Sequence, residues 1–155
     1  MAVRPLHHVS MSVRSLETSL RFYRDLLGMK VTLTAVIDDD VHRRYLRLPP
    51  GTTGKVAVLQ VGPPVGAIQL IEWNMTLSSS PAKRPRDPGP FVLAFELADE
   101  TIVEFVERLE AHGVHPWTEI VSANIDNYGS IKTVIIEDPD GSMIEFMELP
   151  TRKHH

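Results

Sequence analysis

The chain is expected to fold as an α+β protein of two βαβββ modules forming a curved mixed sheet around a central pocket. Three observations predict this. An alternating strand pattern that feeds a helical pattern ending at glycine occurs twice, the second copy follows the first at a nearly constant offset, and a segment rich in Ser, Pro and charge lies between them. His8 falls on Val92, an offset of 84, and Gly28 falls on Gly113, an offset of 85. A four-stranded sheet covered on one face by its own helix leaves its other face to be buried by a partner, and two such sheets side by side can curve around a cavity.

The elements follow in order. Leu6 to Val13 alternates, with Val9, Met11 and Val13 on one side and His8, Ser10 and Ser12 on the other, which reads as a strand with an apolar back and a polar front. Ser15 is placed to cap a helix carrying Leu16, Leu20, Tyr23, Leu26 and Leu27 at helical spacing, and Gly28 stops it. Four strand-like stretches then compete for three places, at 30–36, 44–48, 55–61 and 66–73. Residues 78–90 read as a linker with no core-facing side. The pattern restarts with Phe91, Leu93, Phe95 and Leu97. Asp99 is a candidate cap for a helix through Ile102, Phe105, Val106 and Leu109, and Gly113 closes it. Strands are expected at 117–121, 131–137 and 142–149, the last two joined by the turn Asp138-Pro139-Asp140-Gly141. The expected organisation is one domain over 1–155, with module one at about 5–77, the linker at 78–90 and module two at about 91–149.

Composition narrows the function. With 155 residues, 43% hydrophobic and 23% charged, the chain can bury a core of its own. A net charge of −4 offers no general basic surface for nucleic acid, and no apolar run reaches membrane-spanning length. The absence of cysteine excludes thiolate ligands, so a metal would be held by His, carboxylate or amide groups. Met1-Ala2-Val3-Arg4-Pro5 lacks the apolar core of a secretory signal, which makes the cytoplasm the expected location, and His154-His155 reads as a tag remnant or frayed tail.

Strand parity selects the candidate chemistry. His8 stands on the polar front of the first strand, while Gln69 and Glu145 occupy matching places in Ile68-Gln69-Leu70 and Ile144-Glu145-Phe146, between apolar neighbours that pack on the helices. One nitrogen and two oxygen donors suit a divalent ion that keeps open water positions. A carboxylate between Ile144 and Phe146 is costly to bury alone, so Glu145 must reach a cavity or a cation.

His8-Val9-Ser10-Met11-Ser12-Val13, the run Phe22-Tyr23-Arg24-Asp25-Leu26-Leu27-Gly28-Met29, and Asp138-Pro139-Asp140-Gly141 through Glu145 together resemble the vicinal oxygen chelate superfamily. Its members include glyoxalase I, methylmalonyl-CoA epimerase, bleomycin resistance proteins and extradiol dioxygenases. The resemblance implies that His8, Gln69 and Glu145 are metal ligands, with Glu145 also a candidate base, and that the metal is Mn, Co, Ni, Zn or Fe. It also implies proton abstraction with enolate stabilisation on a small substrate bearing adjacent oxygens. The third ligand, normally a histidine, is matched by Val92, which leaves open a three-ligand site or a chain without metal. A metal-free binder of the antibiotic-resistance kind is the alternative, supported by Val92 and by the Met and Trp content, and a ring-cleaving dioxygenase is third because its iron site needs the missing histidine.

Residues expected to touch a substrate are Val92, Glu96 and Trp73, then Met143 and Met147 as adaptable apolar walls, and His42 and Tyr128 from loops. Met75, Trp117 and Tyr45 are further candidates. Asp38-Asp39-Asp40 with His42 has the composition of an acidic metal patch, which a solvated loop explains as well. Lys83, Arg84 and Arg86 are suited to a phosphate, or only to solubility. A small-molecule ligand and a homodimer are the expected partners, with neither nucleic acid nor membrane.

Overall fold

The structure is a computed structural model, and it describes residues 6–62, 66–78, 82–125 and 129–150. The chain separates into two compact units, Met1–Ser80 and Pro81–His155. The first contains β1 (His8–Ser12), α1 (Leu16–Leu20) running on as a π-helical turn (Arg21–Leu26), β2 (Lys30–Ile37), α2 (Asp40–Tyr45), β3 (Gly54–Gln60) and β4 (Ala67–Trp73). The second contains β5 (Val92–Glu96), α3 (Ile102–Ala111), β6 (Val121–Ile125), β7 (Gly129–Glu137) and β8 (Met143–Glu148).

Each unit is one four-stranded mixed sheet, ordered β1-β4-β3-β2 in the first and β5-β8-β7-β6 in the second, with a parallel pair at one edge. The repeat therefore extends to hydrogen-bond register. His8 lies opposite Ala67 as Val92 lies opposite Met143, and Ser10 lies opposite Gln69 as Ala94 lies opposite Glu145. Gly28 at φ 76° and Gly113 at φ 77° terminate the helices in the left-handed conformation their sequence positions require.

The helix-facing sides hold the cores. In the first unit Val13, Tyr23, Leu59 and Leu70 are fully buried; in the second Ile102, Phe105, Leu109, Val134, Ile136 and Ile144 are. One device fastens helix to sheet in both units. The Leu16 amide donates to Glu72 Oε2 at 2.6 Å, and the Ile102 amide donates to Glu148 Oε2 at 2.8 Å. Each glutamate also accepts from a lysine directly across the sheet, Lys55 at 3.3 Å and Lys132 at 3.0 Å. Both carboxyls lie below the usual carboxylate range, chiefly because the helix amide bonds to the ionised form.

Three local expectations are corrected. Residues 44–48 form no strand, because Asp39 caps α2: its Oδ1 accepts from the His42 amide at 2.9 Å and draws the segment into a helical turn. Thr101, rather than Asp99, caps α3, since Glu104 returns a bond to the Thr101 amide at 2.8 Å and completes a capping box. The strand expected at 117–121 begins only at Val121. The amide of Trp117 donates to the Ile135 carbonyl, but the Thr118 side chain takes the Ile135 amide at 3.0 Å and interrupts the ladder. Among the described residues no helix is long and apolar enough to cross a membrane.

Candidate functional site

The first unit presents His8, Ser10 and Ser12 of β1 and Gln69, Ile71 and Trp73 of β4 on the sheet face opposite the helix. Ser10 Oγ donates to Gln69 Oε1 at 2.7 Å, and Trp73 Nε1 donates to Ser12 Oγ at 3.0 Å, which fixes these side chains on one face. The pattern arises from strand alternation: Ile68 and Leu70 turn into the core and leave Gln69 on the other side, partly exposed. Further along the same face Ile37, Val56 and Ile71 form a buried apolar cluster, with Val58 and Trp73 packed against it. His8 is exposed, its Nδ1 2.8 Å from His7 Nδ1 with the rings edge to face. One of these two nitrogens carries the proton of that bond and the other accepts it, so the tautomers of the two rings are linked.

The second unit repeats the arrangement with different chemistry. Val92, Ala94 and Glu96 of β5 share a face with Met143, Glu145 and Met147 of β8, by direct pairing. Glu145 is partly buried, and its Oε1 accepts from Thr133 Oγ1 at 2.6 Å, while Oε2 has no hydrogen-bond partner among the described residues. Met143 is fully buried and Met147 partly; Glu96 is exposed. Arg84, from the segment expected to be a bare linker, donates to Glu137 Oε1 at 2.6 Å and to the Gly141 carbonyl at 3.0 Å, and its guanidinium lies 6.0 Å from the Trp117 ring. It holds the turn that leads into β8.

The sequence-selected donors thus pair off: His8 and Gln69 share a face in the first unit, and Glu145 stands in the second beside Val92, which has no donor atom. The donor types, a ring nitrogen, an amide oxygen and a carboxylate oxygen, fit a divalent ion. Among the described residues no three His, Cys, Asp or Glu side chains gather where they could jointly hold a metal. The acidic patch is not gathered for metal. His42 Nδ1 lies 2.6 Å from Asp39 Oδ2, Asp40 binds Arg43, and Asp39 is held below the usual carboxylate range mainly by the His42 amide. Tyr128 lies outside the described residues. Ser10 and Ser12 stand on the polar front that the sequence predicts, but their bonds to Gln69 and Trp73, and that of Thr133 to Glu145, carry no sequence signal until the register places the partners side by side.

A family profile described as the Glyoxalase/Bleomycin resistance protein/Dioxygenase superfamily matches residues 5–146. A "2-epi-5-epi-valiolone epimerase" from an Actinomyces species is 26% identical over 148 residues, covering 94% of this chain and 79% of that protein. Among solved structures, a glyoxalase family protein from Bacillus cereus superposes with a TM-score of 0.80 at 21% identity, covering 96% of this chain and 98% of the other. A glyoxalase/dioxygenase from Nostoc punctiforme does so at 0.68 and 20% identity, covering 96% and 93%. With both faces, their paired registers and these likenesses in hand, the chain belongs to the Glyoxalase/Bleomycin resistance protein/Dioxygenase superfamily.

Proposed function

We propose that this protein is a divalent-metal-dependent enzyme of the isomerase or lyase type, acting on a small substrate with vicinal oxygens by proton abstraction. The observation that carries the reading is the matched register of Gln69 and Glu145, each opposite the central residue of its parallel partner strand, Ser10 and Ala94, with His8 two residues before Ser10. The likeness to an epimerase over 94% of the chain supports the same class. His8, Gln69 and Glu145 are the proposed ligands. When bound, a divalent ion supplies Lewis-acid polarisation of a substrate carbonyl and charge stabilisation of the enolate. Glu145 suits the base: Thr133 holds Oε1, and Oε2 is left to accept the proton from the carbon next to that carbonyl. Ser10 fixes the direction of the Gln69 amide. Glu96, exposed on the Glu145 face, would serve as a second carboxylate.

A second reading rests on Val92, whose isopropyl group stands where its repeat counterpart is His8. An apolar residue there, with Met143 and Met147 on the same face, suits a protein that binds an apolar small molecule without turnover. A cytoplasmic location and a homodimer accompany both readings. Metal analysis of chain purified without chelator or added metal separates them: near-stoichiometric Mn, Co, Ni, Zn or Fe, lost in His8→Ala, supports the enzyme. A parent that neither retains nor takes up any of these ions sinks that reading and leaves the binder, for which Glu145→Gln would alter affinity alone.

A further inference from the structure

A cavity of about 640 Å³ opens in the first unit beside α2, lined by Asp40, Arg43, Arg44, Arg47, Leu48 and Pro50. Three arginines against one aspartate give it a surplus of positive charge in a chain whose net charge is −4. The three have different duties. Arg43 is largely buried, donating to Asp40 Oδ1 at 2.9 Å and to the Thr52 carbonyl at 3.1 Å, so it is committed to holding α2 against the following loop. Arg44 spends only Nε, on the Asp40 carbonyl at 3.3 Å. Arg47 makes no side-chain hydrogen bond or ion pair among the described residues.

Arg47 is also the one non-glycine residue with positive φ, at 53°, among the described residues. It occupies the position after the α2 cap: its amide donates to the Arg44 carbonyl at 3.2 Å and the Leu48 amide to the Arg43 carbonyl at 2.8 Å, closing a Schellman turn. Glycine adopts that conformation without strain, whereas a residue with a Cβ is held there at a cost. The long cationic side chain is thus kept where the backbone favours glycine, and it lines a cavity beside Arg44.

We infer that this cavity is a binding site for a small organic phosphate. Arg44 and Arg47 line the same cavity, and two guanidinium groups suit a phosphate dianion, whose three oxygens can accept from both. Leu48 and Pro50 supply an apolar wall for the organic part. The cavity volume lies in the range of small-molecule sites. None of its lining residues belongs to the proposed metal set, so the inference stands or falls apart from that reading.

The test is calorimetric titration of the full chain with phenyl phosphate, inorganic phosphate and benzoate, repeated with Arg47→Gly and Arg44→Gln. Phenyl phosphate is expected to saturate, more tightly than either other probe, and to weaken about tenfold in each variant. Arg47→Gly relieves the backbone, so its Tm is expected to be no lower than the parent's, which separates lost binding from lost folding; its metal content should be unchanged. Failure of phenyl phosphate to saturate by about 10 mM, equal binding by parent and variants, or affinity no better than that of inorganic phosphate or benzoate would each overturn the inference.

Discussion

Replacing Glu148 by Gln tests whether a single carboxylate ties α3 to the second sheet. Glu148 Oε2 accepts the Ile102 amide at 2.8 Å, a group at the helix start with no partner inside the helix, and Oε1 accepts Lys132 Nζ at 3.0 Å. A hydrogen bond to a charged acceptor contributes about 1.5–3 kcal/mol. The Glu148 side chain is 28% exposed and Lys132 is 43% exposed, so solvent screening reduces the ion-pair share to a few tenths of a kcal/mol. Glutamine keeps an acceptor oxygen for the amide, which leaves an expected loss of about 1 kcal/mol, or roughly 2–4 °C in Tm for a chain of this size. The pH dependence carries the sharper signature. The Ile102 amide first, then Lys132, hold the folded-state pKa of Glu148 below its ordinary 4.5. Folding therefore lowers the pKa, so the stabilisation is complete above the ordinary value and is lost as pH falls through the lower folded value. Urea unfolding of parent and variant should show a constant difference near neutrality that closes below about pH 4.5. A variant equal to the parent at pH 7, or a difference that widens in acid, would refute the tether.

Further outcomes follow from other contacts. Ser19 is fully buried and its hydroxyl has no hydrogen-bond partner among the described residues, so Ser19→Ala should stabilise by about 1 kcal/mol in the same assay. At Gly54 a Cβ would stand 2.7 Å from two Trp73 ring carbons and 3.0 Å from Ile71 Cγ2; Gly54→Ala should cost about 1–3 kcal/mol and shift Trp73 fluorescence. If Gln69 is a metal ligand, Ser10→Ala frees its amide to rotate and should weaken metal affinity about tenfold or more while leaving the urea midpoint nearly unchanged.

The architecture was legible because it is written in periods: alternation in β1 and β5, helical spacing ended by Gly28 and Gly113, and one offset linking both halves. Parity also placed His8, Gln69, Glu145 and Val92 on the sheet faces opposite the helices, since a residue between two core-facing ones has no other direction to point. Capping was harder to read. Asp39 lies in a run of three aspartates, Asp38-Asp39-Asp40, and only three-dimensional bonding to His42 shows that one of them starts a helix where a strand was expected. Asp99 and Thr101 are both good caps, and the choice fell to Glu104, which reaches the Thr101 amide. Arg84 looked like a solubilising residue beside prolines because its partners, Glu137 and the Gly141 carbonyl, are more than fifty positions away. The paired roles of Glu72 and Glu148 were equally invisible, since neither stands in a run that announces a contact with a helix start.

The π-helical turn at Arg21–Leu26 explains why the first helix is one residue longer, from cap to terminating glycine, than the second. The Leu27 amide reaches back five residues to the Phe22 carbonyl at 3.0 Å, so one turn of the first helix holds an additional residue. Thirteen positions separate the cap Ser15 from Gly28, whereas twelve separate Thr101 from Gly113. The first helix is the second with one residue inserted, and the insertion is absorbed as a bulge rather than passed along the chain. Passed along as one more residue of regular α-helix, it would turn everything beyond it by about 100°, whereas Tyr23 and Met29 are both buried. The duplication has kept its sheet register by confining a length change to a single loosened turn.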